Sequence, residues 1–309
     1  LEAVEVLADS SPVLIFQNEK AKRSKQIGIG GIRGRFPNVV GDLYRGDLIE
    51  RSAADDIRDA IEFHATKLDH VGDKVPLKWI DIRNDLAELA RSEWVIDEAT
   101  YFEIYTRHLP FDEVKARRLS EYLHDLGVFL HFQQHDLLRR ILILRNEWAT
   151  EAVFAVVNDE DIKTRWGQFD RSDGERIWAQ PRYDGRHPEL RALLEQFEFC
   201  YQLPTTEPQW LAPQLLPPER PPNLDSWAEP GDLSLVYHYD FLPRGIISRL
   251  IVREDRYVTD LAQAWRTGVL LTRGDTELLV EVTTRNDDIV LRSRGPERKE
   301  LLSAVAADL

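Results

Sequence analysis

Methionine is absent from all 309 residues, and cysteine occurs once, at Cys200. A single thiol excludes an internal disulfide, so the fold must be held by its core, and no zinc set of several cysteines can be built. Long apolar runs are lacking too. None approaches the ~20 residues of a membrane-spanning helix, and no charged-then-apolar leader opens the chain. Basic residues are in the minority, 40 against 54 acidic ones, for a formal charge of −14. That balance opposes non-specific binding to nucleic acid or to an anionic membrane. Together these absences describe a cytoplasmic kind of chain. Because methionine is a usual filler of irregular cores, its absence and the start at Leu1 are what an excised fragment would show.

Proline is present in the ordinary amount but unevenly placed: eight of the sixteen lie between Pro204 and Pro230. Helix is excluded there and extended backbone favoured. Trp210, Leu211, Leu215, Leu216 and Trp227 within that stretch are expected to dock part of it on a neighbour. A lesser break falls at HVGDKVPLKW, residues 70–79.

Before that break, SPVLIFQNEK (11–20) has four consecutive apolar residues followed by polar ones. This is the signal of a strand covered on both faces, as in a parallel α/β sheet, where ligands sit beyond the carboxyl ends of the strands. SAADDIRDAIEFHATKL (52–68) reads as a helix with Ser52 as N-cap and Ile57, Ile61, Ala65 and Leu68 on its apolar face. With LEAVEVLA (1–8) as a further helix and VVGDLYRGDL as a short strand, the first 70 or so residues have the order of the last third of a doubly wound domain. GIGGIRGRF (28–36) is glycine-rich and reads as a loop; it lacks the Lys-Ser/Thr pair that holds phosphates.

Residues 76–203 are expected to be mainly helical, at LKWIDIRNDLAELAR, DEATYFEIYTRH and FDEVKARRLSEYLHDLG, the last closed by Gly127. VFLHF (128–132) and ILILR (141–145) then read as paired strands, with a helix capped by Asn146 after them. Helix, helix, hairpin, helix is the order of a winged helix. Its third helix, however, sets Lys115, Arg117 and Arg118 against Asp112, Glu113, Glu121 and Asp125, and a recognition helix needs a basic face. His124, His131 and His135 lie close in sequence, yet His131 is expected to be a solvent-facing strand histidine and not a metal ligand. Cys200 is expected to be a buried core thiol. The last part reads as a strand and amphipathic helix over 233–253, a meander at AWRTGVLLT, ELLVEVTT and DIVLRSRG, and a closing helix begun by Pro296.

Taken together, SPVLIFQNEK, RGRFPN, HVG..VP..W..IR, LHDLGVFLHF with ILRNEWATEAVF, ELRALLEQFEFCY, and YDFLPRGIISRLIVR followed by WRTGV resemble Roco proteins over almost the whole chain. These carry a Ras-like GTPase domain, Roc, followed by a COR domain; leucine-rich-repeat kinases are among them. The resemblance implies an α/β remnant of the GTPase domain at 1–72 and a mostly helical, winged-helix-like first half of COR at 73–205. A proline-rich linker at 206–231 and a small α+β second half at 232–309 complete it. It further implies a regulatory module that homodimerises through 232–309 and couples to the Roc domain of the same chain, with no nucleic acid or membrane as partner.

By the same resemblance Asn18 and Lys20 stand where the base-reading Asn and Lys of an N-K-x-D motif would stand, although Ala21 occupies the expected aspartate position. GTP or GDP with Mg2+ would be held in the intact parent. This chain has no G-x-x-x-x-G-K-[ST] run, so it is expected to be inactive as a GTPase by itself. DHVG (69–72) matches a magnesium-side motif by letters but comes too late in the order. The alternative reading is a winged-helix adaptor or nucleic-acid binder without nucleotide hydrolysis.

Overall fold

The structure, a computed structural model, describes residues 12–19, 28–68, 71, 75–239, 242, 245–283 and 288–309. It divides into two units, 1–75 and 76–309. The helix expected over 1–8 lies outside the described residues.

In the first unit, β1 (Val13–Asn18) is followed by α1 (Ile29–Arg35), β2 (Val39–Gly46) and α2 (Arg51–Ala65). β1 and β2 pair in parallel, Ile15 opposite Leu43 and Asn18 opposite Gly46, which requires a crossover between them. Val13 to Gln17 are half-buried, short of the full covering that the apolar run suggested. The glycine-rich stretch forms the crossover helix α1 and is not the expected loop. Each interior glycine costs about 1 kcal/mol against alanine, so tertiary anchoring must hold this short helix: Phe36, whose N–H closes it on the Ile32 carbonyl at 2.8 Å, is buried.

α2 also departs from expectation. Glu50 is its N-cap and Ser52 lies inside the first turn. The face turned inward is Ala53, Ile57, Ala60 and His64, while Ile61 is 53% exposed. The reason is close approach: a Cβ on Gly46, at φ +156°, would come within 2.5 Å of the Ala53 Cβ. Only small residues fit along that line, so the helix rolls its alanines inward.

The second unit begins with α3 (Leu77–Leu89), β3 (Val95–Asp97), α4 (Glu98–His108) and α5 (Glu113–Asp125). Their core holds Ile82, Leu86, Tyr101, Ile104, Tyr105, Leu119 and Phe129. Asp112 caps α5 by accepting from the Lys115 N–H. At its other end Gly127, φ +69°, donates to the His124 carbonyl and Val128 to that of Leu123, closing the helix as its glycine predicted. The expected hairpin shrinks to one bridge, Leu130 opposite Ile143. β4 (Ile141–Ile143) spends its three residues mainly on β3, a strand the periodicity did not reveal. α6 (Asn146–Asn158) follows, with Arg145 and not Asn146 as its cap.

Next come α7 (Glu160–Thr164), β5 (Gln168–Asp170), α8 (Arg171–Ile177), α9 (His187–Gln196), β6 (Tyr201–Gln202) and β7 (Gln209–Leu211). β7 lies between β5 and β6 in an antiparallel sheet. Residues 199–216 feed two cores in turn. Cys200, Trp210 and Ala212 join the helical core built on Trp148, Trp178 and Leu193, with Phe199 packed at its margin; Tyr201, Leu203, Leu211 and Leu216 join the core of the C-terminal sheet. Burial raises the Cys200 thiol pKa, as expected of a core thiol.

The C-terminal sheet has five strands in the order β8-β12-β11-β10-β9. They are β8 (Leu233–His238), β9 (Ala264–Trp265), β10 (Gly268–Arg273), β11 (Thr276–Thr283) and β12 (Asp288–Arg294). Helices α10 (Ile246–Arg253) and α11 (Arg298–Ala306) pack on the face formed by Leu235, Val269, Leu271, Leu278, Val280, Ile289 and Leu291. The opposite face is half-covered by the proline-rich segment, through Leu224 and Trp227 on Trp265, Leu270 and Leu279. Residues 240, 241, 243, 244 and 284–287 lie outside the described residues.

Candidate functional site

Asn18 ends β1 and is exposed. Its Oδ1 accepts from the Leu48 N–H at 3.3 Å, tying the strand end to the turn after β2. Among the described residues its Nδ2 makes no hydrogen bond. Lys20 and Ala21 lie outside the described residues, as do Asp69, His70 and Gly72 of DHVG.

His131 requires a correction. It is 2% exposed, with Nδ1 2.6 Å from the Ser120 Oγ and Nε2 2.9 Å from the Arg139 carbonyl. Since a carbonyl can only accept, Nε2 carries the proton and the serine hydroxyl donates to Nδ1. Burial, only partly opposed by the bond to Arg139, lowers the histidine pKa. The alternation of VFLHF already held this signal, because His131 shares a strand face with buried Phe129. His124 and His135 line a 310 Å3 cleft beside it with Glu121, Asp125 and Gln196. Among the described residues no three His, Cys, Asp or Glu side chains converge closely enough to hold a metal ion.

Two of the three basic residues named on α5 are paired within the fold. Arg117 pairs with Glu98 at 2.7 Å and Glu113 at 3.1 Å, and Lys115 with Asp112 at 3.2 Å. Of the three only Arg118 is left outside these pairs, which is short of the basic face that phosphates require.

The five-stranded sheet offers a different kind of site. On its outer face the half over β9 to β11 is sealed. Trp227 Nε1 donates to Glu277 at 2.9 Å, Arg294 bonds the same carboxylate at 2.6 Å, and Arg220 reaches Glu281 at 2.7 Å. The half over β8 is open, with Ser234, Val236 and His238 pointing outward and Val236 39% exposed. Asp288, nearly buried, accepts from His238 Nδ1 at 2.8 Å. Among the described residues β8 is paired on one side only, with β12. LSLVYH contains no Lys, no Pro and no bulge, the features that ordinarily guard a sheet edge. An unclosed meander over 232–309 is expected from the sequence to expose an edge; that β8 forms it was not legible, since the first strand of the sheet lies beside the last.

Comparison with known proteins agrees with this layout. Residues 76–216 match the family model described as C-terminal of Roc, COR-A domain, and residues 231–309 the one described as C-terminal of Roc, COR-B domain. The chain is 24% identical over 261 residues to the probable serine/threonine-protein kinase pats1 of Dictyostelium discoideum, covering 80% of this chain and 8% of that protein. It is 26% identical over 287 residues to a Roc-COR-CHAT protease of Runella zeae, covering 89% and 29%. It thus spans less than a third of these curated relatives. A solved structure of Methanosarcina barkeri Roco2 RocCORdC bound to GDP shares the fold, with TM-score 0.54 and 23% identity over 70% of this chain and 67% of that one. Among the described residues no helix is long and apolar enough to cross a membrane.

Proposed function

The chain belongs to the Roco family and carries its COR region, and from that premise we propose that it is the regulatory and dimerisation module of a Roco-type GTPase. Two copies associate through the 232–309 half and so couple dimer state to nucleotide binding and hydrolysis by the Roc domain of the same chain. The observation that carries this reading is the unguarded β8 edge beside the open half of the sheet face. An edge strand with free backbone donors and acceptors and no charge to repel a copy of itself pairs isologously.

Residues 1–72 are, on this reading, the C-terminal part of Roc, with Asn18 and Lys20 toward the guanine. The chain's own residues do not fit the phosphates. It has no P-loop, and the one or two bonds that Asn18 offers are worth on the order of 1 kcal/mol each, far short of the roughly 8 kcal/mol behind micromolar binding. GTP or GDP and Mg2+ therefore belong to the intact parent.

The test is sedimentation velocity of this chain at tens of micromolar, beside Val236→Lys, which places a charge on the open face. Dimers that Val236→Lys converts to monomers support the reading. A wild-type chain that stays monomeric, or dimers indifferent to Val236→Lys, would overturn it.

A further inference from the structure

Helices α5, α7 and α9 of the second unit end with the same backbone device and different residues at its reversing position, Gly127, Trp166 and Glu198. At the end of α5 the reversing position is Gly127, where an added Cβ would meet nothing within 4 Å. At the end of α9, Glu198 donates to the Glu195 carbonyl at 2.9 Å and Phe199 to that of Leu194 at 2.8 Å, the same closing pattern. Here the reversing residue is Glu198, at φ +56°, a conformation that side chains other than glycine rarely adopt. Glycine would serve the backbone better here, as it would at Trp166 (φ +54°), so any gain from the carboxylate has to come from what its side chain touches.

That carboxylate reaches out of the helical half to the sheet half. Its Oε2 accepts from Arg249 Nε at 2.7 Å and its Oε1 from Arg253 Nε at 2.8 Å, both on α10 and one turn apart. Arg253 also donates from Nη1 to the Asp308 carbonyl at 3.4 Å, which extends the tie to the residues after α11. Burial alone would raise the Glu198 pKa, but the two guanidiniums outweigh it and hold the group below its ordinary value.

We propose that Glu198 is a latch between the two COR halves: a single carboxylate, held at a strained corner of the helical half, that fixes the orientation of α10 and with it the sheet half. A salt-sensitive, partly exposed tie is suited to being broken and remade.

Hydrogen exchange on the full chain tests this, following amides 246–253 against reference amides 146–158. Glu198→Gly removes the carboxylate and suits the backbone; Glu198→Gln keeps the strain and removes the charge. Both should speed exchange in α10 about three- to fivefold and leave the reference amides unchanged. Raising the salt should do the same to the wild type and nothing further to the variants. A purely local role at the helix end predicts the reverse for Glu198→Gly, with unchanged or slower exchange in α10. Unchanged α10 exchange in Glu198→Gln, or wild-type protection indifferent to salt, would equally overturn the proposal.

Discussion

The helical half of the COR region and its sheet half solve the same packing problem with different side chains. The helical half is built on large aromatics whose polar ends are tied to distant backbone. Trp148 Nε1 donates to the Arg182 carbonyl at 2.8 Å, Trp178 Nε1 to that of Ala152 at 3.1 Å, and the Tyr101 hydroxyl to that of Ala116 at 2.6 Å. The sheet half is built mainly on Val, Leu and Ile, with Tyr201 the one aromatic among the fully buried residues of its core. Helices laid side by side can slide and turn, so directional bonds are needed to select one arrangement. A ladder already sets the register of each strand, so plain hydrocarbon is sufficient.

The contrast can be broken by substitution. Trp178→Ala removes a fully buried indole and its tie and should cost about 3–5 kcal/mol. Leu278→Ala, equally buried in the sheet half, should cost about 2–5 kcal/mol. Because residues 199–216 supply both cores, each substitution should lower one shared transition in calorimetry. Two resolved transitions, each moved by only one substitution, would show the halves to be independent.

Acid should sharpen the contrast, for His131 is buried in the helical half whereas His238 of the sheet half is exposed. An unfolded histidine titrates near 6.5, and burial holds that of folded His131 lower. As the pH falls the unfolded chain takes up its proton first. The contribution is therefore complete above about 6.5 and is lost progressively below it, with a slope of at most about 1.4 kcal/mol per pH unit. Urea midpoints measured from pH 7.5 to 5 should show this fall, and His131→Gln should flatten it. A curve as steep in the variant as in the wild type would place the acid sensitivity elsewhere.

The smallest effect is expected from Tyr101→Phe, which deletes only a hydroxyl bonded to the Ala116 carbonyl and should cost about 0.5–1.5 kcal/mol. An indistinguishable urea midpoint would mean that shape alone orients this aromatic.

What could be read in the sequence was whatever has a local cause. α3, α4 and α5 follow from apolar spacing and the Gly127 stop, and the C-terminal meander from its turns. The docking of the proline-rich stretch by Trp210, Leu211, Leu216 and Trp227 was likewise legible, since those residues are too apolar for open solvent. What failed depends on distant partners. The roll of α2 answers to Gly46, the helix at 29–35 persists despite its glycines, and β3 is three residues whose partner lies more than 40 residues on. Of the candidate site, the placement of Asn18 at a strand end was visible. The open β8 edge was not, because no local pattern says that the first strand of a sheet will lie beside its last.

The alternating allegiance of residues 199–216 also governs how the chain tolerates changes of length. In a strand each added residue turns every later side chain to the opposite face. One residue inserted between Gln209 and Leu211 would aim Trp210 or Leu211 at the wrong core and damage both at once. The exposed turn at 204–207 lies between the two strands of this hairpin and belongs to neither core, so added residues can loop out there without disturbing the register. Variation in chain length through this region should therefore collect at that turn, with the spacing on either side of it held constant.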